Sequence, residues 1–541
     1  MTHKIARVLL LTSVLAGVLA TLAPQSALAI TNSPDRTGWS ISGKVYSYAH
    51  YGNVVYAGGA FKRLNGPVGT KLSVKNLAAF DATSGAPISS FLPTVTSTAG
   101  AVKVSALAVS PDGTTLYIGG QFDTVDGQTV SNFAAIDTGT GNLVPGFSVS
   151  ANQAVDVLLA GPNLLYMGGA FTKVNGEDRG HLAAIGYDGT LSETWTPSTA
   201  AGNCPAPYYN ANTCSNGGDG VVRSLALSPD GSFVYVGGEY YYVTPPGGSP
   251  TPRNCLSRVS AVDGSLDAWT TPNWTDIVDD AQSHKPGPNM AWQILPTATR
   301  VYVGFGRVPN YLQVFRTDNG NSANTVFKVG TPGNVESLAL WTDPNNSSNQ
   351  ILFAGGHFGT AVLDYYVSQC GTYAHGLVSF NIPTVGDTLT YNCSWMPTLK
   401  PFGGQNAPGS HIDPPNYVGG WTMFQQNNVL WVGGYFTSVA GVAQSGFARF
   451  TIVGSPAFPA PVIGTFAPTK GPVGTQVTIP GFGFTGTTDV QFGGVSATTF
   501  TVDNDGQITA TVPVGATTGP ITVVAPGGTV DSGTKKFHVT S

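Results

Sequence analysis

An aromatic residue followed closely by paired glycines recurs along this chain, and that phrase limits the possible folds more than any other feature. It reads Tyr56-Ala-Gly58-Gly59-Ala-Phe61, Tyr117-Ile-Gly119-Gly120-Gln-Phe122 and Tyr166-Met-Gly168-Gly169-Ala-Phe171. It returns as Tyr235-Val-Gly237-Gly238-Glu-Tyr240, Phe353-Ala-Gly355-Gly356-His-Phe358 and Trp431-Val-Gly433-Gly434-Tyr-Phe436. A worn copy, Tyr302-Val-Gly304-Phe305-Gly306-Arg307, lies between the fourth and the last two. Seven copies, spaced from 49 residues (Gly119 to Gly168) to 78 residues (Gly355 to Gly433), mark a radial array of small sheets.

Each copy carries a full meander. In the second, the apolar run Val104 to Val109 precedes a Ser110-Pro111-Asp112-Gly113 turn and the glycine-bearing strand. An Asp126-Gly127 turn, the strand Phe133-Ala-Ala-Ile-Asp137 and a Gly-rich turn lead to a fourth short strand near Phe147. Asn65-Gly66, Asn175-Gly176 and Ser228-Pro229-Asp230-Gly231 repeat these turns, and Asn-Gly or Asp-Gly suits the positive φ of tight hairpins. The fourth strand is expected to end in aromatic-x-Pro, as in Phe91-Leu-Pro93, Trp195-Thr-Pro197 and Trp395-Met-Pro397, because an edge strand tolerates proline. Four strands per copy make one blade, so the chain predicts an all-β, seven-bladed β-propeller. Glycine inside a strand marks a bulge or a close backbone approach, so the pairs read as packing devices, not as a ligand motif. The seventh copy lacks its own aromatic-x-Pro strand, and Thr37-Gly-Trp39-Ser-Ile41 is expected to complete it and close the ring.

These phrases resemble the delta-60 type of bacterial β-propeller repeat over roughly residues 40 to 452, and more distantly the repeats of fungal cortical polarity-marker proteins. That resemblance implies the fold and no single activity. A linker, 454–460, separates the propeller (30–453) from a last segment, 461–541, of short alternating strands with frequent turns, the pattern of an immunoglobulin-like β-sandwich. Pro468-Thr-Lys-Gly471-Pro-Val-Gly474-Thr-Gln-Val477, Gly481-Phe-Gly483-Phe484 and Val490-Gln-Phe492-Gly493-Gly494 resemble an IPT/TIG domain. In exported bacterial proteins the resemblance implies a spacer or an accessory for adhesion or sugar binding.

Residues 1–29 read as a signal peptide: basic Lys4 and Arg7, an apolar stretch, then Ala27-Leu28-Ala29 as a cleavage site. The mature chain is expected to be secreted or kept at the cell surface, with no transmembrane segment. Charged residues are only 10% of the chain, the formal net charge is −5, and no basic stripe stands out in the linear sequence. Nucleic acid and anionic membranes are therefore not expected as partners, and a monomer is expected. Of five cysteines, Cys204 with Cys214 and Cys370 with Cys393 are the candidate disulfides, leaving Cys255 over. Close thiol doublets are absent, so no metal or cofactor is called for.

Departures from the repeat are where function is sought, since the fold does not require them. After the glycines stand Gln121, Glu239, His357 and Tyr435, with Arg307 beside the worn copy, a set able to hold a polar ligand at the ring mouth. A second candidate is the loop carrying Trp274, Asp276, Asp279 and Asp280, followed by His284. Further aromatic surface is expected from Tyr240-Tyr241-Tyr242. No Gly-x-Ser-x-Gly elbow or His-Glu-x-x-His motif occurs. The layout is similar to that of copper-radical oxidases, but those place the aromatic differently around the glycines and draw histidine ligands partly from the C-terminal domain. Here that domain has only His538. The expectation is a secreted or surface binding or scaffold protein that recognises a glycan or an extracellular protein. The alternative is an extracellular carbohydrate-active enzyme, a hydrolase or lyase, whose site lies at the propeller mouth.

Overall fold

A computed structural model describes residues 30–540 except 31, 202–218, 254, 272–289, 307–310, 319–324, 331–333, 344–345, 357–364, 368–369, 371, 383–388, 401–418, 427, 453–460, 485–486, 505 and 526–527. Among the described residues, seven antiparallel sheets built on the repeated strands follow one another along the chain as a β-propeller, with five smaller sheets of two or three strands between them. In the first, the inner strand Ser40–Tyr51 pairs with the glycine-bearing Val54–Asn65, which pairs in turn with Leu77–Asp81. Alternation of apolar and small residues forms these strands, because both faces of each sheet lie against a neighbour. The core is accordingly divided. Seven apolar clusters each join two neighbouring sheets; one combines Val45, Val55 and Phe80 of the first sheet with Trp431 and Phe447 of the last.

The glycines explain how the sheets approach. A Cβ on the first glycine of each pair would strike the next sheet: Gly58 would meet Val104 at 2.7 Å, Gly168 Val222 at 2.5 Å, and Gly433 Val45 at 2.6 Å. The last contact runs from the final sheet back to the first. Real Cβ atoms do not come so close, so each first glycine sets the distance between neighbours.

The fourth strand differs from expectation. In the first four sheets it shrinks to single bridges, Phe80 to Pro87, Ile136 to Leu143, Ile185 to Leu191 and Val259 to Leu266. The aromatic that follows is a buried plug. Phe91 packs on Tyr56 at 5.2 Å and Trp195 on Tyr166 at 5.0 Å. The indole N–H groups of Trp195 and Trp269 donate into the following sheet, to the carbonyls of Ser260 at 2.9 Å and Arg316 at 3.0 Å. Burying a large ring between sheets outweighs a few edge hydrogen bonds that water replaces readily.

The chain's front does meet the last sheet. The Ile41 N–H donates to the Ser445 carbonyl at 2.8 Å and the Gln444 amide donates to the Trp39 carbonyl at 2.8 Å, so Thr37 to Ile41 reaches the last blade without adding a strand to it, and an earlier segment joins it there. Ile30 bridges Ile452, the Asp35 N–H donates to the Arg449 carbonyl at 2.7 Å, and the Asp35 carboxylate accepts from the Thr451 N–H and hydroxyl. Ser40 and Ile41 belong to the first sheet's inner strand. The C-terminal unit is a β-sandwich with its own core, from Phe466 to Phe537. One sheet runs Val462–Ile463, Gln476–Phe482, Gln507–Thr511 and Phe500–Asn504. The other is built around Gly519–Ala525 and Gly528–Val539.

Candidate functional site

The inner strand of every sheet slips register by one residue opposite the glycine pair. The slips fall between Val45 and Ser47, Val104 and Ala106, Val155 and Val157, Val222 and Ser224, Ala291 and Gln293, Val335 and Ser337, and Gly420 and Thr422. A bulge of this kind leaves one residue outside the ladder and re-aims its side chain. Here the extra residues are Tyr46, Ser105, Asp156, Arg223, Trp292, Glu336 and Trp421, one from each sheet. All seven line a single cavity of about 680 Å³ where the inner strands converge.

The second glycine makes room for that bulge. A Cβ on Gly59 would lie 2.0 Å from the Lys44 carbonyl oxygen, on Gly120 1.9 Å from that of Lys103, and on Gly434 1.9 Å from that of Gly419. The bulged strand turns a carbonyl into the space where a side chain would stand. The fifth sheet bulges at Trp292 with Phe305 in the second-glycine place, so glycine eases the bulge without dictating it.

Charge and aromatic surface alternate around the cavity. The Arg223 guanidinium donates to Asp156 at 2.7 Å and to Glu239 at 3.2 Å, and lies 5.8 Å from the Trp292 ring. Tyr46 stacks on Trp421 at 5.2 Å with planes 4° apart, and Trp421 stacks on Tyr435 at 6.1 Å. The Lys103 ammonium sits 4.9 Å over Tyr46, and that of Lys44 sits 4.7 Å over Tyr435. Burial, helped by Arg223, pushes the Lys103 ammonium below the usual lysine range, while Asp156 and Glu336 oppose the shift. Burial raises the Tyr46 phenol to about 12, so it stays protonated and can donate. The Trp292 indole N–H and the Ser105 hydroxyl are buried without a hydrogen-bond partner among the described residues. Such groups cost stability unless something accepts from them. Flat rings, paired charges and idle donors together suit a ligand with a ring-shaped apolar face and a hydroxylated rim.

Of the residues singled out from sequence, Tyr435 joins this cavity's aromatic stack. Gln121 is exposed and pairs in register with Lys103. Glu239 is only 4% exposed and grips Arg223 from behind, so it reaches the cavity through that residue. Tyr240 and Tyr241 are buried, the Tyr240 hydroxyl bonding to the Val236 carbonyl and Ser257, so they add no aromatic surface. Arg307, His357, Trp274, Asp276, Asp279, Asp280, His284 and the Cys204–Cys214 pair lie outside the described residues. Cys370 and Cys393 form a disulfide, and Cys255 is a buried free thiol that burial pushes up. The bulge residues do not stand out as a set in the linear sequence, although they are the variable place in a recurring phrase of apolar, variable, small and apolar residues. Val222-Arg-Ser224-Leu225 and Val335-Glu-Ser337-Leu338 are examples.

The IPT/TIG domain family model matches residues 461–539. Among solved structures the chain is similar to one from the crystal structure of a mitotic checkpoint complex. That match has 13% identity and a TM-score of 0.44, and it covers 83% of this chain and 99% of that one. It is also similar to the Cps50 (Swd1) β-propeller domain of Myceliophteria thermophila, at 9% identity and a TM-score of 0.39, covering 77% of this chain and 97% of that one. No curated protein matches the chain. Among the described residues no helix is long and apolar enough to cross a membrane, and no group of His, Cys, Asp and Glu is placed to hold a metal ion.

Proposed function

We propose that this is an exported binding protein, a seven-bladed propeller of the delta-60 type, whose central cavity holds one sugar unit of a glycan while the C-terminal domain serves as a spacer. The observation that carries the reading is the ring of bulged residues. It sets Tyr46, Trp292 and Trp421 around a space that also holds paired charges. A sugar ring stacks its apolar face on such aromatics while its hydroxyls trade bonds with Trp292, Ser105, Asp156 and Arg223. Screening the protein on a glycan array tests this, with Trp292→Ala and Trp421→Ala as controls. Binding that both variants retain unchanged would move the ligand off the cavity.

The carbohydrate-active alternative draws support only from Asp156 and Glu336, two carboxylates lining one cavity. Release of reducing ends from any glycan the protein binds would favour it, provided Glu336→Gln abolishes that release.

A further inference from the structure

Four cations from one short stretch of sequence, residues 62–75, face a second concave space. Lys62, Arg63, Lys71 and Lys75 line one cleft of about 1160 Å³ between the first and second sheets. All four are exposed, and none forms an ion pair among the described residues. Asp123, which accepts from the lining residue Ser97, is also occupied in accepting from the Thr98 N–H and hydroxyl.

The wall of the cleft adjoins the wall of the cavity. Ala60, on its wall, pairs in register with Lys44, and Ala101 and Val102 of the same wall run directly into Lys103, which lines the cavity. Lys44 and Lys103 are near enough to repel, each carrying its charge over an aromatic ring of the cavity stack. Six of the chain's 24 Lys and Arg thus trace a path from the rim to the centre.

We propose that this path is the docking track of an acidic polysaccharide, a chain of uronate sugars whose carboxylates lie along the cations while one sugar enters the cavity. The proposal rests on the glycan reading above. Like-charged side chains held together, the four of the cleft with no ion pair among the described residues, raise the local potential and favour an anion, more so in a concave site. The net charge of −5 disfavours broad contact with a duplex or a membrane surface, whereas a single flexible polymer can lie in the cleft alone.

Calorimetric titration of the full chain with hexagalacturonate, and with neutral maltohexaose as control, tests the track. We expect the uronate to bind more tightly, to weaken several-fold as salt rises to physiological strength, and to lose about tenfold in the Lys62→Gln/Lys75→Gln variant. Neutral-sugar binding should not change in that variant, whose substitutions are at exposed positions. Equal uronate affinity in wild type and variant, salt-independent binding, or tighter binding of polyphosphate or single-stranded DNA would overturn the proposal. If Trp292→Ala abolishes binding of both glycans and the lysine changes do nothing, the cavity reading stands and the track falls. The reverse pattern removes the cavity reading alone, and no binding of either glycan removes both.

Discussion

At the residue scale, the paired glycines hold two different distances. The first faces the neighbouring sheet and the second faces a carbonyl of its own inner strand. Adding a methyl group to the second forces backbone apart, since the clash is with main chain and cannot be relieved by a rotamer change. Gly120→Ala, with its Cβ 1.9 Å from the Lys103 oxygen, should cost at least about 2 kcal/mol in urea unfolding. Gly139→Ala is the matched control. Its nearest contact is the Asp137 carboxylate at 3.5 Å and its φ lies outside the left-handed region, so stability should stay within about 0.5 kcal/mol. A loss of the same size at both positions would refute the claim that close approach, and not glycine content, is what matters.

At the element scale, the turns between strands are held by aspartates. Hydrogen bonds from Ser110 to Asp112, from Thr140 to Asp137, from the Thr190 N–H to Asp188 and from Ser228 to Asp230 hold these carboxyls below the ordinary 3.8. In the unfolded chain the same groups titrate at their ordinary value. The turns therefore contribute full stability above about pH 4, and that contribution is lost as pH falls through the lower folded-state values. Melting temperature should drop as pH falls below about 4, and the drop should shrink in Asp112→Asn/Asp230→Asn, because an amide oxygen accepts the same bonds without titrating. A pH profile identical to that of wild type would show that the acid sensitivity arises elsewhere.

At the scale of the whole molecule, the ring is sealed where the segment around Asp35 lies against the last sheet. Asp35 is 3% exposed and faces Arg449, itself 2% exposed, which also donates to the Thr83 carbonyl of the first sheet. Removing the carboxylate takes two bonds from Thr451 and leaves the buried guanidinium less compensated, at a cost of about 1–3 kcal/mol. Asp35→Ala should lower the melting temperature of the propeller by several degrees. The sandwich, whose core draws on no residue of the ring, should melt as before. Calorimetry resolves the two transitions, and a shift confined to the sandwich would count against this closure.

What could be read from the sequence is what local chemistry controls. The glycine phrases, the Asp-Gly and Asn-Gly turns and the alternating strands act over a few residues, so the propeller class and the sandwich follow directly from them. Tyr435 was legible as a candidate because it sits in the repeated phrase, and it stacks on Trp421. The cavity was not, because Tyr46, Asp156, Arg223 and Trp292 are separated by dozens of residues and meet only where the inner strands converge. The cleft was hidden for the same reason: its walls come from residues 42–76 and 96–102, which meet only when the first two sheets pack. Short-range sterics and hydrogen bonding choose the elements. Which side chains share one space depends on how far a ring of sheets turns before it closes, and only the assembled molecule sets that.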